Sequence, residues 1–331
     1  MSTAEPQFRK DLPGKYRPCI WCRAQDFDLV FQGPDRLNRI PGEFCLVQCK
    51  NCRTYLQNPL MPWSDLKTYY PEDYISYRFT HPCRPLSDKK WTAWLFRLNG
   101  KIKSFGNLKR RRLIERFQPG GRLLEVGCGT GAFLRELKRF SRWDLYAVEP
   151  NEAAARYTRN TLEIPVHVGK FEDVSHHEES LDAVVMWCVL EHLEDPLADI
   201  RRASFFLKRK GILAFTVPNP EAWDARLFGR FWSGWDLPRH LHIFPRKVIR
   251  DILVKNGFQI LTEKCIAGSY SQLRHNLDFW SQSWEQSMPW LSKTFKRTYD
   301  SLFSRLLLFP FLWMMDRFKL ATNVTFIARK K

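Results

Sequence analysis

A run of nine residues, Leu123-Leu-Glu-Val-Gly-Cys-Gly-Thr-Gly131, constrains the fold of this chain more than any other stretch. Leu123 to Val126 read as a short buried strand. Gly127, Gly129 and Gly131 then make a tight turn, and Ala132, Phe133, Leu134 and Leu137 begin a helical pattern. Glycine has no Cβ and adopts positive φ freely. A strand–turn–helix of this kind therefore presents backbone N–H groups and a helix N-terminus to a polar ligand. The spacing is G-x-G-x-G, with Glu125 two residues ahead of the first glycine, whereas a dinucleotide-binding turn reads G-x-G-x-x-G.

The elements that follow agree with this start. A second apolar strand, Leu145-Tyr-Ala-Val148, ends in Glu149, placed to hold a pair of ribose hydroxyls. Gly169 follows a Pro-Val-His-Val strand. Leu181 to Trp187 and Gly211 to Asn219 are near-continuous apolar runs, as strands covered on both faces require. Between them Asp195-Pro196 opens a helix, with Leu197, Ile200, Ala203 and Leu207 on one stripe and Arg201, Arg202 and Lys208 on the other. In this order the elements resemble the S-adenosylmethionine site of the class I methyltransferases, over roughly residues 120 to 331. The resemblance implies an α/β, Rossmann-like seven-stranded sheet. It also implies cofactor contacts from Glu125, Gly127, Gly129, Gly131, Glu149 and Glu172. A doubly wound domain with another ligand is the structural alternative.

The chain has 331 residues, 44% hydrophobic and 15% aromatic, which excludes a disordered protein and allows one large core plus a smaller module. Its formal charge of +18 favours anionic partners without choosing among nucleic acid, acidic lipid and phosphorylated substrates. The nine cysteines are odd in number, and no opening stretch looks like a signal peptide, so a reducing cytoplasm is expected. Cys19-Ile-Trp-Cys22 and Cys49-Lys-Asn-Cys52 are two C-x-x-C knuckles, a spacing that places four thiolates around one tetrahedral Zn²⁺. Such a shell is closed, which makes the metal structural. The chain then divides into a loose tail (1–17), a zinc ribbon (18–60), a helical connector (61–118) and the main domain (119–331). The connector is predicted helical from Trp91 to Phe117, with Lys109-Arg-Arg-Arg112 on a solvated face.

Residues 266–320 form a helical insertion before the last strand, Asn323 to Ala328. Inside it the apolar run Leu306 to Met315, interrupted by Pro310, is too short to span a bilayer. With Arg305, Arg317 and Lys319 around it, the run suits either a membrane interface or packing on its own domain or a second subunit.

A narrower resemblance rests on the two knuckles, Gln57-Asn-Pro59, the tyrosine-rich stretch from Tyr69 to Tyr77, Val189 to Pro196, and Trp235 to His242. These are similar to the zinc-ribbon-bearing small-molecule methyltransferases, many of which serve sugar and cell-surface polysaccharide pathways. Arg53 departs from the glycine common after the last cysteine, and Lys170-Phe-Glu172 lacks the Gly-Asp pair often seen there. The resemblance implies transfer to a small-molecule or glycan hydroxyl, such as a nucleotide sugar or glycolipid precursor. His192, His240 and His242 are the candidate bases, because imidazole titrates near neutrality. Trp235 and Arg239 are candidates for holding an anionic acceptor.

RNA methylation is the rival enzyme reading, encouraged by the charge. Against it, the strand ending at Trp187 is followed neither by an Asn-Pro-Pro-Tyr-like sequence nor by a Pro-Cys pair. A non-catalytic zinc-containing binding protein is the third reading, opposed by the intact glycine turn and Glu149. The expected location is cytoplasmic, extending to peripheral contact at the membrane face.

Overall fold

The computed structural model describes residues 17–71, 74, 106–140, 142–266 and 269–331. The first strands, β1 (Phe27–Gly33), β2 (Phe44–Cys49) and β3 (Tyr55–Gln57), form an antiparallel sheet. A single turn of helix, α1 (Trp63–Leu66), follows, and α2 (106–115) leads into the main domain. There the order is β4 (Gly120–Val126), α3 (Ala132–Phe140), β5 (Arg142–Glu149), α4 (Glu152–Leu162), β6 (Val166–Val168), β7 (Leu181–Trp187), α5 (Pro196–Phe206) and β8 (Leu207–Pro218). After α6 (Trp223–Phe228) come β9 (His242–Ile243), α7 (Arg246–Lys255) and β10 (Phe258–Lys264). Three helices, α8 (Ser269–Gln282), α9 (Pro289–Asp300) and α10 (Leu302–Arg317), precede β11 (Asn323–Lys330).

The large sheet has seven strands in the order β10-β11-β8-β7-β4-β5-β6, with β11 antiparallel to both neighbours. Successive residues feed opposite layers. Leu124, Val184 and Leu213 face α5 and α7, while Leu123, Val185 and Ala214 face α2, α3 and α4. Both layers are apolar, which is why these strands read as continuous hydrophobic runs rather than alternating ones. The seven-stranded α/β sheet expected from the sequence is the one observed.

Two local expectations are corrected, and a third falls partly outside the described residues. The helix opened by Asp195, whose carboxylate accepts from the N–H groups of Leu197 and Ala198, stops at Phe206. Leu207 instead enters β8, pairing with Leu181, and Lys208 reaches Asp182 at 2.9 Å. The pull of the sheet on Leu207 outweighs one further helical turn. In the basic run of α2 only Lys109 and Arg112 are exposed. Arg111 pairs with Glu115 and Glu136, and Arg110 lies over the Trp187 ring at 4.9 Å. Of the helix predicted from Trp91, residues 91–105 lie outside the described residues.

The small sheet does not end with the ribbon. β9, from the aromatic stretch after β8, pairs with β3 through Tyr55–Ile243 and Leu56–His242. Phe44, Leu46 and Tyr69 pack with Trp232, Trp235, Leu237 and Ile243 in one apolar cluster. Ribbon and main domain therefore share both a sheet and a core.

Candidate active site

A cleft of about 380 Å³ opens at the carboxyl ends of β4, β5, β6 and β7, where the strand order reverses on either side of β4. Its cofactor half is local in sequence. Gly127, Gly129 and Gly131 have φ of 69°, 51° and 70°, the left-handed region that side chains resist. The turn folds back so that the Gly127 N–H donates to the Val148 carbonyl at 2.8 Å. The Glu149 carboxylate accepts from the Gly129 N–H at 2.7 Å and from the Asn151 N–H at 2.9 Å. The residue lines the cleft. A backbone cradle beside a fixed carboxylate fits the aminoacyl and ribose parts of S-adenosylmethionine.

Not all six predicted cofactor residues reach the cleft. Gly127, Gly129, Glu149 and Glu172 line it; Glu125 and Gly131 stand behind it. A Cβ on Gly131 would meet Thr158 and Leu162 at 2.8 Å, so this glycine lets α4 close on the turn. Glu125 is 3% exposed, and burial pushes its carboxyl well above the usual range. Glu172, in the short turn Phe171–Asp173 at the rim, pairs with Lys170 at 3.2 Å.

The acceptor half is assembled from distant segments. Trp63, Tyr70 and Tyr74 from the connector face Cys188, Val189 and His192 from the loop after β7. His192 Nδ1 lies 3.0 Å from the Arg239 carbonyl and 3.0 Å from the Tyr70 hydroxyl. A carbonyl only accepts, so the proton is assigned to Nδ1 and Nε2 keeps its lone pair. Burial lowers the His192 pKa to about 3, helped by His240 and Arg239, and the ring is neutral. Burial likewise pushes the neighbouring Glu191 up to about 8 and Cys188 to about 12.

The other candidate bases and acceptor-holding residues do not line the cleft. Arg239 is fully buried. Its guanidinium pairs with Asp35 at 2.6 Å, with Asp236 at 2.7 Å, and donates to the Tyr69 carbonyl at 3.0 Å. No donor remains for a phosphate. The Trp235 indole N–H donates to the Gly229 carbonyl at 2.8 Å while its ring packs on Trp232 and Tyr55, so it cannot stack a sugar. His242 is sealed between the Glu194 carbonyl and Arg17. His240 sits behind His192, ring centroids 4.7 Å apart, with Nδ1 on the Gly234 carbonyl. Glu191, His192 and His240 each offer one ligand atom within 4.8 Å of the others, a set able to hold a divalent ion.

Sequence reading missed Tyr70, Asp35 and Glu191 as parts of this site. Glu191 was signalled by its place beside His192, but nothing local marked Asp35, 204 residues from the arginine it binds.

The four knuckle cysteines converge, their sulfurs within 4.8 Å of one another. Cys19 and Cys52 are 3.4 Å apart and Cys22 and Cys49 3.5 Å. Zn–S bonds of about 2.3 Å set tetrahedral edges near 3.8 Å, so the donor set and its size suit Zn²⁺. Both knuckles close alike: Arg23 N–H donates to the Cys19 carbonyl and Arg53 N–H to the Cys49 carbonyl, each at 2.9 Å. Each donor has a positive φ, 63° and 65°.

Residues 100–263 match the family model described as a methyltransferase domain. Ubiquinone biosynthesis O-methyltransferase of Xanthomonas campestris pv. campestris is 30% identical over 131 residues, covering 38% of this chain and 55% of that one. The enzyme of the same name from Actinobacillus pleuropneumoniae serotype 5b is 29% identical over 158 residues, 44% of this chain and 67% of its own. The chain thus spans about half the length of the first of these relatives. Among solved structures, geranyl diphosphate C-methyltransferase from Streptomyces coelicolor A3(2) aligns with a TM-score of 0.46 at 16% identity, over 76% of this chain and 86% of that one. Fold order, glycine turn and family match agree: over residues 100–263 the chain is similar to a methyltransferase domain, on the seven-stranded sheet expected for the class I fold.

Proposed function

We propose that this protein methylates a hydroxyl oxygen of a small molecule, with His192 as the base. The observation that carries the reading is that His192 alone among the three candidate histidines lines the cleft, with Nδ1 tied to a carbonyl and Nε2 free. Bound S-adenosylmethionine supplies an electrophilic methyl group on a sulfonium. Glu149 and the glycine turn fix the cofactor's position, and Trp63, Tyr70 and Tyr74 form an aromatic wall that holds a flat acceptor ring against it. The acceptor oxygen gains the methyl and gives its proton to His192 Nε2, from which water removes it. Burial keeps His192 unprotonated into acid, so Nε2 can accept at neutral pH, as a weak base that needs the in-line alignment of acceptor and methyl to act. The Cys188 thiol, held protonated by burial, does not compete for the methyl group.

The acceptor is a hydroxylated ring, in keeping with relatives named for O-methylation in ubiquinone biosynthesis. A nucleotide sugar or glycan acceptor, and an anionic one generally, loses its residue basis with the burial of Arg239. The zinc ribbon supports the acceptor wall from behind, through Asp35 and the shared sheet.

A tritiated-methyl transfer screen across polyhydroxylated phenols, nucleotide sugars, lipid-linked glycans and RNA tests the assignment. Ring hydroxyls are expected to be labelled. His192→Asn is expected to lower kcat by about 10²- to 10⁴-fold, the usual worth of a general base, while cofactor affinity stays unchanged. Label on RNA alone, or full turnover by His192→Asn, overturns the proposal.

A further inference from the structure

The helix α10 is out of place on a water-facing surface. Phe303, Leu306, Leu307, Phe309, Trp313 and Phe318 in and just beyond it are each at least 60% exposed. Among the described side chains of this helix only Leu312 is fully buried. Phe311 touches the Trp223 ring and Asp316 is bonded to Ser269, so the helix is held to its domain along a narrow seam. Contiguous apolar surface of this kind marks an interaction site.

The charge around it says what covers it. At the N-terminal end of α10 an open groove of about 540 Å³ is lined by Lys293, Lys296 and Arg297, together with Glu285, Asp300 and Ser301. Lys296 is paired with Glu285, while Lys293 and Arg297 are exposed. At the other end Arg317 is exposed and Lys319 follows. Trp290 on α9 adds an indole, exposed at 70%. An apolar helix face with cations at both ends and tryptophans at its margin is the pattern of a helix lying in the plane of a membrane interface. Among the described residues no helix is long and apolar enough to cross a membrane, so the contact is peripheral. A second copy of the chain would bring two such cationic rims, each on a chain of net charge +18, against each other.

We propose that the outer face of α10 docks on an anionic lipid surface, with Phe303, Leu307, Trp313 and their neighbours in the interface and the flanking lysines and arginines on the headgroups. Methyl transfer and docking are separate claims: the residues invoked lie outside the cleft, and either can fail alone.

Flotation of the full chain with phosphatidylcholine vesicles, and with vesicles in which about a third of the lipid is phosphatidylglycerol, tests the proposal. Partitioning is expected to be about tenfold stronger on the anionic vesicles and to weaken as salt rises. The double substitution Leu307→Glu with Trp313→Glu should abolish it without changing the thermal melting curve, since both side chains are exposed. Arg317→Glu with Lys319→Glu should reduce it several-fold and flatten the salt dependence. Absence of flotation, or flotation indifferent to Leu307→Glu with Trp313→Glu, overturns the proposal. A dimer by light scattering that this double variant turns into a monomer also overturns it, and assigns the face to a second copy.

Discussion

The two halves of the cleft are built in opposite ways. The cofactor half comes from one strand–turn–helix and the end of the next strand, with Gly129 and Glu149 joined directly by a 2.7 Å hydrogen bond. The acceptor half needs Tyr70 from the connector, His192 after β7, Arg239 after β8 and Asp35 from the ribbon, linked through a buried ion pair. A backbone cradle is specified by glycines close in sequence. A poised imidazole needs partners that only the folded chain brings together. The first half should therefore tolerate damage to the ribbon, and the second should not.

The largest expected effect falls on the link between the ribbon and His192. Asp35→Ala leaves Arg239 with one of its two carboxylates in a fully buried position. It should destabilise the protein by about 3–5 kcal/mol, the usual result of breaking a buried pair. At a temperature where the variant is still folded, kcat should fall while cofactor affinity measured by calorimetry holds. Equal loss of both would erase the distinction between the halves. Glu149→Ala probes the other side. Cofactor binding should weaken by about 1–3 kcal/mol, because charged hydrogen bonds are lost, while the environment of His192 is untouched. Unchanged cofactor affinity would reject Glu149 as a contact.

The halves should also differ toward acid. His192 has a folded pKa of about 3 against an ordinary 6.5. Between those values the unfolded chain binds a proton that the native site refuses. Stability should therefore fall as pH drops through this window, at about 1.4 kcal/mol per unit for this histidine. His240 and His242, also lowered by burial, act in the same direction. Glu191, raised from 4.5 to about 8, acts oppositely and removes stability as pH rises between those values. Buried Glu125 in the cofactor half adds to that alkaline side. Urea midpoints measured from pH 5 to pH 8 should show both limbs, and His192→Asn should flatten the acid one only. An acid limb indifferent to that substitution would place the imidazole in water.

The smallest effect tests the ribbon's own strain. Arg53 holds a φ of 65°, and its side chain contributes no hydrogen bond to the turn it closes. Arg53→Gly should stabilise the ribbon by about 0.5–1 kcal/mol, the gain from relieving a left-handed non-glycine less the entropy that glycine loses on folding. Chelator-driven unfolding at a higher chelator concentration is the expected reading, and a lower one would show that the side chain is needed.

Much was legible because it depends on neighbours in sequence. The glycine spacing fixed the turn, the apolar runs fixed a sheet covered on both faces, and the paired C-x-x-C spacing placed four sulfurs together. Burial was harder to read. Arg239 and Trp235 are polar or amphipathic residues in an aromatic stretch, and from sequence they look like a binding rim. In the fold, β9 pairs with the ribbon and draws the whole stretch into a core, where the arginine is neutralised by Asp35 and Asp236. The three histidines looked equivalent for the same reason. By itself the sequence determined the class of fold, the glycine turn beside Glu149 and the convergence of four cysteines, since each follows from local geometry and short-range patterning. Only the tertiary structure decided which histidine faces the cleft, which charges are already paired, and that α10 carries its apolar side outward, because those outcomes depend on contacts between segments 47 to 204 residues apart.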